Sequence, residues 1–331
     1  MEVNKSIIMG VWLDFKYQPD SEWRNYFLKL KKAGIEEIFV NATVAQLKFL
    51  VKLTKNIGVN IHGWIWTLNR PYDKNVMGNK SWYSVNKRGE NCLEYRPYVD
   101  YYQWLSPFSH DAREYVKSNI SKIASIKGIA SVHLDYVRFC DLYLPVNLQK
   151  YYKINQDHEM PEYDFGYHPE GRSKFKDKFG IDPLDIDGGE FVQEWKQFRL
   201  DAVSSLDKEL KAISHEKNTK ISAAVFPYPK MSSKMVLQDW SNWDLDIICP
   251  MNYHLFYDGD INWIGESISK GIKYKKPNNL YLSGLFVDWF DSSDLKKTIK
   301  ESLNKGADGI CIFSSEYLND DHLKTISTFK S

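Results

Sequence analysis

The sequence predicts a (β/α)8 TIM barrel, and three observations predict it. Apolar strand-like runs alternate with amphipathic helical runs eight times, and 331 residues are enough for eight such units. The segment after the first strand, GVWLDFKYQP, lacks the Gly-rich phosphate turn of a doubly wound nucleotide-binding sheet. No internal repeat or low-complexity linker divides the chain. Residues 1–331 are therefore read as one barrel domain, with long inserts after strands three and four.

Residues 6–15, SIIMGVWLDF, read as the first strand, followed by a helix from the N-cap candidate Ser21 to Gly34. IEEIFVNA (35–42) is a second strand, and residues 43–58 form a helix closed by Gly58. VNIHGWIWTLN (59–69) is the third strand. An aromatic insert runs from about 70 to 110, and a helix from 110 to 128 leads to the fourth strand, IASVHLDYVRF (129–139). A second insert, 140–188, is rich in Tyr, Asp, Pro and Gly, and a long helix over 189–217 follows. The remaining strands are 220–229, 245–254, 279–290 and 306–317, with helices near 260–275, 292–305 and 319–329.

Composition narrows the partners. There are 44 basic and 43 acidic residues, a net charge of +1, which gives no electrostatic argument for nucleic acid or an anionic membrane. Aromatics reach 15%, with 11 Trp and 21 Tyr, and such side chains offer flat apolar faces with polar edges that suit sugar rings. Cys92, Cys140, Cys249 and Cys311 form no CxxC pair and read as packed free thiols. No apolar run approaches the ~18 residues of a membrane span. The N-terminus, MEVNKSIIMGVW, enters a strand too soon for a signal peptide, so the expectation is a cytoplasmic protein or one whose leader is missing. A monomer is the default expectation.

In a barrel, chemistry collects at the C-terminal ends of the strands. Those ends supply Trp12 and Asp14, Asn41, His62 and Trp66, Asp135 and Arg138, Asn252, Tyr253 and His254, Asp288 and Trp289, and Glu316. The first insert adds Asp100 and Tyr101. Carboxylates, amides and indoles at one mouth suit glycoside hydrolysis, which needs two carboxyl groups and donors for sugar hydroxyls. His62, His133 and His254 lie on separate strands without metal-ligand spacing, so neither a metal nor another cofactor is expected. No GxSxG elbow is present.

Asp135 stands out because it interrupts an otherwise apolar strand. Strand alternation places His133 and Val137 on its face, and puts Arg138 on the other parity or where the strand breaks, able to pair with a carboxylate. Asp135, Asp288 and Glu316 are the catalytic candidates. Trp12, Asp14, Asn41, His62, Trp66, Asp100, Tyr101, Arg138, Asn252, Tyr253, His254 and Trp289 are the substrate-binding ones. For His62 a structural place inside the barrel is the competing expectation.

The runs GVWLDF, IHGWIW, HLDYVRF and QDWSNWDLDIICPMNYH, spread over nearly the whole chain, resemble the bacterial family 10-like glycosyl hydrolases. The resemblance implies a TIM-barrel glycosidase with Asp135 in the active centre, acting on a carbohydrate; many members are exported or lipid-anchored. A looser likeness to chitinase-type barrels fails at the decisive place, since Val137 stands where their catalytic Glu would be and His133 replaces an acid. By analogy with retaining β-glycosidase barrels, Asp135 is the acid and Asp288 the nucleophile. By analogy with α-glycosidase barrels, Asp135 is the nucleophile, with Glu316 or Asp100 supplying the acid. The competing function is a carbohydrate-binding barrel without catalysis.

Overall fold

Eight parallel strands close on themselves in chain order in a computed structural model that describes residues 7–330. The strands are β1 (Ile8–Asp14), β2 (Glu37–Asn41), β3 (Asn60–Trp66), β4 (Ser131–Asp135), β5 (Lys220–Val225), β6 (Ile247–Pro250), β7 (Leu280–Phe286) and β8 (Gly309–Phe313). Between them run α1 (Asp20–Ala33), α2 (Val44–Thr54) and α3 (His110–Ala124), then α4 (Val146–Tyr152), α5 (Pro169–Phe179) and α6 (Glu190–Glu216). The circuit ends with α7 (Pro229–Met235), α8 (Ile261–Gly271), α9 (Ser292–Asn304) and α10 (Asp320–Ser327). The expected (β/α)8 barrel is the observed fold. Ser6, placed at the start of the first strand from sequence, lies outside the described residues.

Alternation along each strand sorts side chains into two cores. Outward residues such as Val11, Ile38, Ile61, Val132, Leu134 and Ile310 pack beneath the helices in one large cluster. Inward residues Trp12, Phe39, Trp64, Ala224, Cys249, Leu282 and Cys311 fill the barrel. The helices start where capping chemistry allows. Thr43 and Gln46 form a reciprocal capping box at α2, and Ser109 caps α3. Ser21 is not an N-cap, because α1 begins one residue earlier at Asp20 after Pro19. Gly34 ends α1 with φ 91°, a conformation few other residues adopt. No helix among the described residues is long and apolar enough to cross a membrane.

The strand ends are shorter than the apolar runs suggest, and this has consequences for the site. β4 stops at Asp135 because Tyr136 takes a left-handed conformation, φ 51°, uncommon for a bulky residue. Val137 therefore does not share the face of Asp135. It packs in the outer cluster. β7 ends at Phe286 and β8 at Phe313, four residues before the ends expected from sequence, and each runs into a short 3-10 turn. The second insert also carries α4 and α5, and α7 follows β5, where sequence patterning suggested no helix.

Candidate active site

The C-terminal strand ends enclose a cavity of about 400 Å³. Its floor is built from Trp12, Trp64, Asp135, Ala224 and Met251, and its walls from Trp66, Tyr101, Tyr136, Phe286 and Phe313. The first insert returns over the mouth because its backbone pairs with itself: Asn69 bridges Trp104, and Tyr83 bridges Leu105. That turn brings Tyr101 within 6.0 Å of Trp66, ring to ring. The second insert supplies Asp141, Pro145, Leu148 and Tyr152.

Asp135 is fixed from two sides. Its Oδ1 accepts the Tyr136 backbone N–H at 2.7 Å, and its Oδ2 accepts Trp64 Nε1–H at 3.1 Å. The left-handed turn at Tyr136 makes the first of these bonds, and the Tyr136 ring lies 4.9 Å from Trp66. Burial among aromatic rings pushes the Asp135 carboxyl up to about 6, against the smaller downward pull of the two donors and of Arg138.

Arg138 lies past the strand break. Its guanidinium pairs with Asp141 at 3.0 Å and sits over the rings of Trp104, Phe226 and Tyr136 at 4.7, 5.0 and 5.2 Å. Both charges of the pair are buried, so Asp141 is committed to Arg138. The third carboxylate of the cavity is Asp14, whose Oδ1 accepts Asn41 Nδ2–H at 2.8 Å. It is exposed, at the end of β1.

Beneath the floor a hydrogen-bonded chain crosses the barrel interior. Trp12 Nε1 is a donor only, so His133 Nε2 accepts from it at 2.9 Å, and His133 Nδ1–H donates to Ser222 Oγ at 2.9 Å. Ser222 and Ser131 hydroxyls are 2.9 Å apart, Ser131 Oγ is 2.7 Å from His62 Nδ1, and His62 Nε2 is 2.6 Å from Glu37 Oε2. These contacts join Trp12 to Glu37 through one continuous hydrogen-bonded path. Burial holds the His133 imidazole well below its ordinary range, consistent with the neutral form. Burial resists ionisation of Glu37, but the His62 contact, with Asn60 and Lys220, keeps its carboxyl below the usual range.

The cavity gathers seven of the residues selected from sequence: Trp12, Asp14, Trp66, Tyr101, Asp135, Arg138 and Tyr253. Asn41 joins them through Asp14. Others fall elsewhere, for identifiable reasons. His62 is closed inside the barrel by Ser131 and Glu37. Asn252 is buried between Ser283 and Ser267, donating to the first at 3.0 Å and accepting from the second at 2.6 Å. His254 stacks on Phe290 at 5.3 Å, and Trp289 stacks on Phe286 at 4.3 Å behind the cavity wall. Asp100 is exposed and does not line the cavity.

Asp288 and Glu316 are also exposed and do not line it, because both sit in the 3-10 turns that follow β7 and β8. The cavity does not pair either of them with Asp135. Strand-end reading passed over Asp141, Tyr152, Phe286 and Phe313. Phe286 and Phe313 were accessible by parity, two positions after inward Gly284 and Cys311, had the strands been ended earlier. Asp141 and Tyr152 sit in an irregular insert that carries no periodic signal.

Residues 3–279 match the sequence profile described as "Putative glycosyl hydrolase domain". The chain belongs to that family. Among solved structures it is similar to the PgaB (BpsB) glycoside hydrolase domain from Bordetella bronchiseptica, at 14% identity and a TM-score of 0.71, covering 98% of this chain and 99% of that one. It is similar to a β-galactosidase from the Antarctic haloarchaeon Halorubrum lacusprofundi, at 13% identity and 0.70, covering 98% of this chain but 57% of that one. The catalytic domain of β-amylase from Paenibacillus polymyxa follows at 12% identity and 0.64, with 98% of both chains covered. No curated protein matches in sequence. At these identities the structural likeness establishes the barrel. For this glycosyl hydrolase family member, the agreement with the sequence-based resemblance is at the level of family type and fold; it does not extend to the family 10-like grouping or to HLDYVRF as a signature.

Proposed function

We propose that this member of the glycosyl hydrolase family cleaves O-glycosidic bonds of a glycan, with Asp135 as the general acid and Asp14 as the second carboxylate. One observation carries the reading: a carboxyl raised to about 6 at the end of β4, on the floor of an aromatic cavity. Near neutral pH a useful fraction of such a group holds its proton and can give it to the departing glycosidic oxygen as the bond to the anomeric carbon breaks. Asp141 is neutralised by Arg138, which leaves Asp14 as the cavity carboxylate free to attack the anomeric carbon or to activate water. Trp66, Tyr101 and Tyr136 supply faces for the sugar rings. Asp288 and Glu316 have no part in this scheme, and the substrate-binding set becomes Trp12, Asn41, Trp66, Tyr101, Arg138 and Tyr253.

The test uses leaving groups of different quality. Asp135→Asn is expected to lose about 10²–10⁴-fold in turnover on natural glycosides. It should lose far less on a dinitrophenyl glycoside, which departs without a proton. Asp14→Asn should be impaired on both substrates. Equal losses for Asp135→Asn on the two substrates would remove it as the acid. Saturable glycan binding by the unaltered protein, with no product after long incubation, would assign the non-catalytic carbohydrate-binding barrel instead.

A further inference from the structure

The cavity at Asp135 has a neighbour across two shared side chains. Pro145 and Tyr257 line it and also line a second, larger space of about 730 Å³ between α4, α7 and α8. Two kinds of side chain dominate this groove. Tyr143, Tyr228, Tyr257 and Trp263 offer ring faces, and Tyr257 and Trp263 stack at 5.0 Å with planes 14° apart. Lys230, Lys234, Lys270 and Lys273 line the same space, all four exposed, against one lining carboxylate, Asp157.

These charges are not an accident of a basic protein, because the whole chain carries a net charge of only +1. Among the described residues, few carboxylates offset them. Asp157 is engaged by His158 at 2.5 Å, and Lys270 has a long ion pair with exposed Glu266 at 3.7 Å. Lys234 and Lys270 lie over the rings of Tyr143 and Tyr228, each at 5.2 Å, so two of the ammonium groups stand beside aromatic rings of the groove, and the Tyr257–Trp263 stack stands apart from them.

We propose that this groove binds the continuing chain of an acidic polysaccharide, with sugar rings on the aromatic faces and uronic-acid carboxylates on the lysines. The substrate class is then a carboxylated glycan rather than a neutral one. This rests on the glycoside hydrolase reading of the neighbouring cavity, since the groove's position beside that cavity, sharing Pro145 and Tyr257 with it, is what makes a glycan the occupant. Charge complementarity selects the acidic kind, and attraction of this sort raises local concentration and weakens with salt.

The experiment uses Asp135→Asn protein, so that bound polymer is not cut, and measures affinity for polygalacturonate, alginate and hyaluronan by affinity electrophoresis. The carboxyl-reduced form of each polymer and heparin, as a sulfated comparison, complete the panel. At least one carboxylated polymer should bind at least tenfold more tightly than its reduced form, and raised salt should weaken it. Replacing Lys230, Lys234, Lys270 and Lys273 together by Gln should abolish that difference while the melting temperature stays within a few degrees. Absence of binding to every acidic polymer, equal binding of reduced forms, or binding of heparin alone would overturn the proposal. Release of reducing ends by unaltered protein separates the two readings. Binding to an acidic polymer without release refutes hydrolysis and leaves the groove assignment standing. Release confined to neutral glycans refutes the groove and leaves hydrolysis standing.

Discussion

Asp135 shows how a single position can be chemically tuned by its neighbours. Burial pushes its carboxyl up to about 6, while Tyr136 N–H, Arg138 and Trp64 Nε1–H limit the rise. If the protonated form is the working acid, kcat/KM should fall as pH rises through about 6, by up to tenfold per pH unit. Trp64→Phe removes a donor that favours the ionised carboxylate, so it should move that descending limb to higher pH. A profile flat from pH 6 to 8, or a limb that moves downward in Trp64→Phe, would contradict the assignment. The importance of this residue was legible in the sequence, because an ionisable group in an apolar strand requires a partner or a purpose. Its partners were not. They depend on Tyr136 turning left-handed and on Trp64 reaching across from the neighbouring strand, and neither leaves a local signal.

At the scale of the elements, period-two alternation made the eight strands and their inward faces readable, as Trp12, Trp64 and Asp135 illustrate. The points where strands stop were harder to read. Apolar runs continue past the last ladder residue into turns that are themselves buried, such as Val287 after β7. A strand read a few residues too long ends off the cavity, as at Asp288 and Glu316, which lie in the turns after β7 and β8. The seam where the barrel closes makes a sharper demand. Gly309 pairs with Ile8, and a Cβ built at Gly309 would lie 1.8 Å from the Ile8 carbonyl oxygen. No rotamer change relieves a clash with backbone, so Gly309→Ala should destabilise the fold by about 3 kcal/mol or more, at or beyond the upper end for overpacking. A chemical-denaturation midpoint within experimental error of the parent protein would refute this.

For the molecule as a whole, the eightfold pattern and the free cysteines were both accessible from composition and spacing. All four cysteines are free and fully buried. Burial raises the Cys92 thiol to about 12 and the Cys140 and Cys311 thiols well above their ordinary value. Native protein should therefore react with an aromatic disulfide reagent only at the rate of unfolding, and then release four equivalents on denaturation. A rapid native phase of one equivalent or more would show an opening that the fold does not contain. What could not be read was how distant segments meet. The cavity joins two inserts to strand ends from all round the barrel, and the lysine groove joins α4 to α7 and α8. Pairings over such separations follow from closure of the barrel and not from any local run of residues.

The polar chain from Trp12 to Glu37 has a consequence for how this barrel finds its pairing. Its six members stand on β1, β2, β3, β4 and β5, one or two per strand, all facing inward. Sliding any of these strands by one residue would turn its polar member outward among Ile and Leu side chains, and would strand that member's partner without a hydrogen bond. Apolar side chains tolerate such slips, because one aliphatic residue replaces another. Hydroxyls and imidazoles do not, so five strands are locked to one frame by groups that contribute little to the bulk of the core.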